Sequence, residues 1–191
     1  MGVITSLLLV RHAQTDMAGT YCGHSDPPLN QAGRDQVRAL LESLAHESFD
    51  AVYTSDLLRA RQTATAAAEF FDVPCLALPG LREIDFGAWE GRTWSQVEEQ
   101  DPGFAARWLS EFPALPAPGG ESFAAFESRV LSALDEILTQ QQHARVLIVS
   151  HAGVMRTILR VRCQVAEEEA WALTRSYCCT FRYPVPVEAS R

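Results

Sequence analysis

The 191 residues are 47% hydrophobic and 21% charged, with a formal net charge of −8. That length suits one domain with a real core, and the acidic balance excludes a general nucleic-acid binder, which needs a basic surface to displace counterions. It leaves room for a small anionic substrate, because a pocket can be locally cationic on an acidic protein. In chain order, Leu7-Leu8-Leu9-Val10 reads as a strand buried on both faces, ending at Arg11-His12. A loop rich in Gly, Asp and Pro (19–28) precedes a helix from about Asn30, with Val37, Leu40, Leu41 and Leu44 at helical spacing. Phe49 to Tyr53 predicts a second strand, and Thr54-Ser55-Asp56 opens an alanine-rich helix from Leu57 to about Phe71. Pro74 ends that helix, and Cys75 to Leu78 predicts a short third strand.

From Leu81 to Gly120 the pattern changes. Trp89, Trp94 and Trp108 cluster there and Pro113, Pro116 and Pro118 punctuate its end, so about 88–120 is expected to be a cap or lid of loops and short helices. Glu121 to Gln141 predicts a long amphipathic helix. Val146 to Ser150 predicts a strand ending at His151, followed by a helix from about Gly153 to Arg162. A last strand around Cys179 to Tyr183 precedes a proline-containing tail. This alternation implies one α/β domain over residues 1–191, a three-layer α/β/α sandwich around a mostly parallel sheet.

In open α/β sheets, residues just past the carboxyl ends of strands line the ligand crevice. Arg11-His12 and His151 both fall there. A histidine with an unprotonated, aimed nitrogen can attack phosphorus, and an arginine beside it binds phosphoryl oxygens through its planar fork. Arg59, early in the helix after Ser55-Asp56, would add charge where helix N–H groups already favour an anion. His151, where strand turns into helix, can donate to a phosphoryl oxygen. Glu83 is a candidate proton donor because apolar neighbours can raise a carboxylic acid's pKa; Asp85 and Glu90 compete with it, and composition does not choose. Taken one at a time, each of these residues has a structural use as well.

Other chemistries find no pattern. His12, His24, His46, His143 and His151 lack the local pairs of a metal site, and no carboxylate cluster offers one for Mg²⁺. GxxxxGK[ST], GxGxxG and GxSxG are all missing. Five cysteines (Cys22, Cys75, Cys163, Cys178, Cys179) without CxxC spacing argue against a disulfide scaffold or zinc site and suit a reducing cytosol. No stretch approaches a signal-peptide core or a membrane span. The expectation is a cytoplasmic protein with neither nucleic-acid nor membrane partner, its oligomeric state open, a homodimer included.

The order of the pieces resembles the histidine phosphatase superfamily, which includes the cofactor-dependent phosphoglycerate mutases. The family's Arg-His-Gly-[Glu/Gln]-[Thr/Ser] block reads here Arg11-His12-Ala13-Gln14-Thr15. Its later blocks resemble Tyr21 to Leu29, Ser55 to Ala64, Leu81 to Gly91 and Ser150 to Val154. The resemblance implies a phosphoglycerate mutase-like fold and a phosphomonoester substrate, with neither metal nor cofactor. It implies that His12 attacks phosphorus, that Arg11, Arg59 and His151 surround the phosphoryl oxygens, and that Glu83 protonates the leaving oxygen. Thr15 and Gly23 are expected to bind substrate, with Arg82 and His24 as further candidates. Ala13 departs from the usual glycine, tolerable only at negative φ, and Ala18 stands where many relatives carry a phosphate-binding asparagine.

The region after Trp89 is short for a mutase, and its basic residues are only Arg92 and Arg107. Its rings favour a hydrolase for an ester with an apolar or ring-bearing leaving group, although buried packing would use them equally well. Tyr21 to Leu29 and Pro118 to Phe123 are similar to the α-ribazole phosphatases of cobalamin synthesis. α-Ribazole 5′-phosphate is therefore the expected substrate. A broad-specificity or sugar-phosphate phosphatase, a phosphoglycerate mutase and a non-catalytic phosphate-binding module stay open.

Overall fold

The computed structural model describes residues 5–141 and 144–185. His143 and the tail beyond residue 185 lie outside the described residues. Five strands form one sheet: β1 (Thr5–Arg11), β2 (Ala51–Thr54), β3 (Cys75–Ala77), β4 (Arg145–Ser150) and β5 (Thr180–Val185), in the order β3-β2-β4-β1-β5. β1, β2, β3 and β4 run parallel, and β5 alone is antiparallel, on β1. Two of the longest aliphatic runs therefore lie side by side at the centre, with Leu7 against Val146 and Val10 against Val149.

Helices cover both faces. The odd-numbered β1 residues Leu7 and Leu9, with Tyr53, Val146 and Ile148, pack under α5 (Phe123–Gln140) and α6 (Ala152–Cys163) through Val130, Leu134, Ile137, Met155 and Ile158. Leu8, Val10, Val52, Leu147 and Val149 face the other way, onto α1 (Gln31–Ser43) and α2 (Leu58–Phe71). Strand side chains alternate between faces, so a continuous apolar run is what a two-sided core requires. The alanines of α2 (Ala60, Ala64, Ala67, Ala68) are buried against the sheet, small enough for the helix to lie close to it.

Element ends follow local chemistry. The Asn30 side chain accepts the Gly33 N–H at the start of α1, and Ser122 accepts the Ala125 N–H at the start of α5. α5 therefore begins at Phe123, two residues later than the periodicity suggests. The second strand is Ala51–Thr54 rather than 49–53; Phe49 is buried in the core just before it. Between β3 and α5 the chain makes two short 3-10 turns and the helices α3 (Trp94–Gln100) and α4 (Pro102–Glu111). The sequence pattern missed α7 (Glu167–Leu173).

Candidate active site

The sheet order brings three strand ends together. β4 lies between β1 and β2, so Arg11-His12, Ser55 and Ser150-His151 emerge side by side at their carboxyl ends. The rings of His12 and His151 have centroids 5.0 Å apart. Ala13, between His12 and the following loop, is not among the positive-φ residues and packs its methyl with Leu29 and Val37. Its methyl is thus absorbed by the core beside α1.

His12 Nδ1 lies 2.7 Å from the Ala13 carbonyl oxygen. A carbonyl only accepts, so Nδ1 carries the proton and Nε2 keeps its lone pair. Arg59 Nε donates to that Nε2 at 3.3 Å. Burial, then Arg59 and Arg11, hold the His12 pKa well below the ordinary histidine value, against the raising effect of the Ala13 hydrogen bond. The same burial and cations, with His12 added, hold His151 down. Both rings are therefore neutral at pH 7, and the unprotonated His12 Nε2 is held by the Arg59 guanidinium. His151 Nε2 pairs with Ser55 Oγ at 2.7 Å, while its Nδ1 is buried without a protein partner. The Ser55 hydroxyl also accepts the Leu57 N–H.

Arg59 is fully buried and is held by a loop rather than by carboxylates. Its Nη1 donates to the Ser25 carbonyl at 2.7 Å, and its Nη2 to those of Cys22 and Gly23 at 3.1 and 2.8 Å. Glu90 takes the same loop from the other side: its carboxylate accepts the N–H groups of Gly23, His24, Ser25 and Phe86 at 2.8–3.1 Å. Burial opposes its ionisation, but the bonds from Ser25, His24 and Phe86 outweigh burial and leave its pKa below the usual carboxylate value. Gly23 has to be glycine, because a Cβ would sit 2.1 Å from the Ile84 carbonyl oxygen. One carboxylate thus collects the loop's donors and one guanidinium its acceptors. Glu90 is absorbed by this clamp.

Glu83 is placed differently. Its Oε1 accepts the Ile84 N–H at 3.1 Å and its Oε2 the Gly153 N–H at 3.0 Å, at the start of α6 two residues past His151. A Cβ on Gly153 would lie 2.2 Å from Oε1, so the glycine after His151 is what admits the carboxyl. The Ser150 hydroxyl holds the Leu81 carbonyl at 2.7 Å. Arg129, ion-paired with Glu121 at 2.7 Å, donates to the carbonyls of Gly80, Arg82 and Glu83. Asp85 accepts the Gly87 N–H and lies 3.6 Å from His24 Nδ1.

The remaining expected binding residues sit around this centre in different ways. Thr15 is buried, its hydroxyl accepting the Met17 N–H. Arg82 has its Nε–Nη2 edge on Asp56, at 2.6 and 2.5 Å, and that pairing lowers the Asp56 pKa. His24 Nε2 is buried without a protein partner. Sequence reasoning passed over Ser55, Arg129 and Tyr177, whose ring centroid is 5.6 Å from that of His12. The contacts that bring them to the site (Ser55 with His151, Arg129 with Glu83, Tyr177 with His12 and Arg11) join residues 46 to 166 positions apart, so no local signal marked them.

The rings of the 88–120 region face one another. Trp89 stacks edgewise on Trp108 at 5.1 Å and Trp94 lies 5.9 Å from Trp108. Trp89, Val97 and Ala117 form a small core with Tyr21, Phe86 and Phe104 against them. Tyr21 exchanges backbone bonds with Gly91 and Arg92, tying this core to the loop that Glu90 and Arg59 hold. Leu109 and Phe112 remain exposed. Among the described residues no group of His, Cys, Asp and Glu could hold a metal ion, and no helix is long and apolar enough to cross a membrane.

Residues 7–184 match the model of the Histidine phosphatase superfamily (branch 1). A bifunctional protein of Mycobacterium tuberculosis is 40% identical over 84% of this chain, which spans 44% of that protein's length. The adenosylcobalamin/alpha-ribazole phosphatase of Salmonella typhimurium is 37% identical over 80% of this chain and 77% of its own. Phosphoserine phosphatase 1 of Hydrogenobacter thermophilus is 32% identical over 88% of this chain and 81% of its own. Among solved structures, the alpha-ribazole phosphatase of Shigella flexneri superposes with a TM-score of 0.84 at 29% identity, covering 96% of this chain and 95% of that one.

Proposed function

The chain belongs to the histidine phosphatase superfamily, and from that premise we propose that it hydrolyses phosphomonoesters without a metal, through a phosphohistidine on His12. The observation that carries the reading is the His12 tautomer: Nδ1 bound to a carbonyl, Nε2 unprotonated and accepting from Arg59. The Nε2 lone pair forms the N–P bond as the P–O bond to the leaving alcohol breaks, and Glu83 gives its proton to that oxygen. Water then attacks phosphorus, Glu83 takes the water's proton, and the P–N bond breaks to release phosphate and restore His12. Arg11, Arg59 and the His151 Nδ1–H meet the three equatorial oxygens, where charge spreads in a loose transition state. Arg11 Nε and His151 Nδ1, both buried without protein partners, support that role. Thr15 and Gly23 shape the surrounding loops, and Arg82, paired with Asp56, and His24, with a buried unpartnered Nε2, are the further substrate contacts.

For the substrate we propose α-ribazole 5′-phosphate. The support is the likeness to phosphatases named for that ester, together with exposed Leu109 and Phe112 as apolar surface for a base. The self-packing of Trp89, Trp94 and Trp108 favours a second reading, a compact ester such as phosphoserine, because those rings are spent on one another. Phosphate release in EDTA from α-ribazole 5′-phosphate, phosphoserine, 3-phosphoglycerate, sugar phosphates and p-nitrophenyl phosphate separates the readings, with His12→Ala as control. A preference for the ribazole ester that His12→Ala abolishes by several orders of magnitude is the expected result. Preference for phosphoserine would replace the substrate and keep the mechanism. Turnover that survives in His12→Ala would overturn the mechanism, and no turnover on any ester would favour a phosphate-binding module.

A further inference from the structure

The segment 166–178 has no part in the chemistry above, yet it builds the seat of Arg11. Thr174, at the end of α7, is fully buried, and both its N–H and its hydroxyl bond the Ala170 carbonyl. Arg156 Nε donates to the Thr174 hydroxyl at 3.1 Å while its guanidinium lies 3.5 Å over the Trp171 ring. So fixed, the carbonyls of Thr174 and Arg175 receive Arg11 Nη1 at 3.1 and 2.5 Å. The Tyr177 ring lies 4.2 Å from the Arg11 guanidinium carbon, and the Cys178 N–H bonds the Arg11 carbonyl at 3.1 Å. Cys178 reaches that bond at φ 53, a turn that folds the segment back toward β1.

We propose that Tyr177 is a positioning residue for the phosphoryl site. Its π face fixes the plane of the Arg11 guanidinium, two carbonyls occupy Nη1, and the Nε edge is left for a phosphoryl oxygen. The same ring packs beside the His12 imidazole, 5.6 Å away between centroids and tilted by 54°. A guanidinium is held in plane by stacking and by its fork together; carbonyls at one nitrogen alone would let it swing. Tyr177 acts through its ring face, so the phenol hydroxyl is dispensable, and it acts through Arg11, so its effect vanishes where Arg11 is gone.

This rests on the phosphate-site reading, so the test uses binding of inorganic phosphate to the intact chain, measured by calorimetry independently of turnover. Tyr177→Leu is expected to weaken phosphate about 10-fold, and Tyr177→Phe to restore affinity to within about 2-fold of the original. In an Arg11→Ala background, Tyr177→Leu should change affinity by less than about 2-fold, because coupled residues are non-additive. Equal losses in both backgrounds, or no loss in either, would overturn the proposal, as would failure of the intact chain to bind phosphate. Should Tyr177→Leu not fold, Tyr177→Met runs the same cycle. Phosphate binding with no ester hydrolysis would sink the phosphatase mechanism while still deciding the role of Tyr177.

Discussion

The floor of the site is buried, whereas the aromatic region 88–120 buries only Trp89, Val97, Ala105 and Ala117, and the two are held by opposite kinds of force. On the floor, Arg59, His12, His151 and Glu90 each depend on named donors or acceptors at fixed distances. In the 88–120 region, Trp89, Trp94, Trp108 and Phe104 share apolar faces, and one ring contact can substitute for another. Directional contacts fail when one partner is lost, because the other is left unsatisfied in a low dielectric. Apolar contacts lose energy roughly in proportion to area and tolerate repacking. The floor should therefore be brittle and the aromatic region forgiving.

Arg59 is where that contrast is easiest to break. Arg59→Lys keeps a charge but cannot span His12 and the carbonyls of Cys22, Gly23 and Ser25. The expected loss in kcat is about 10²–10³-fold, read by burst kinetics on p-nitrophenyl phosphate. Recovery of full activity in Arg59→Lys would mean the floor needs charge rather than geometry.

Acid provides an intermediate effect. The folded pKa values of His12 and His151 lie well below the ordinary value of 6.5. Below about pH 6.5 the unfolded chain binds protons that the folded chain refuses, so stability is full above that pH and falls as pH drops toward the folded values. Each ring costs up to about 1.4 kcal/mol per pH unit in that window. Urea denaturation at pH 7.5 and 5.5 should show the drop, and His151→Asn should reduce it. A flat profile would mean the rings are protonated in the folded chain.

The smallest effects belong to the aromatic region. Leu109→Ser alters an exposed side chain, so stability should change by no more than about 0.5 kcal/mol; Phe112→Ser also removes ring contacts with Trp108 and Phe123 and should cost about 1 kcal/mol. With the ribazole ester they should raise KM a few-fold and leave kcat alone, because any contact with the base is shared by ground and transition states. A fall in kcat instead would place these side chains over the reacting atoms and erase the contrast.

Much of this molecule is legible before any folding is considered. The apolar runs before His12 and His151 mark two-sided strands, and strand ends are where α/β sheets place ligands; Arg59 follows from a helix start after Ser55-Asp56. Those signals are local, because burial periodicity and helix caps act within a few residues. Three carboxylates within eight residues defeat such reasoning. Only the tertiary structure sends Glu83 to the α6 N-terminus, Asp85 to the Gly87 turn and Glu90 into the loop clamp. The same holds for Tyr177, which meets Arg11 because the chain returns to pair β5 antiparallel on β1. Composition and period determine what must be buried and where a chain turns. Which polar group meets which is decided by strand order and register, between residues too far apart in the chain for any local pattern to record.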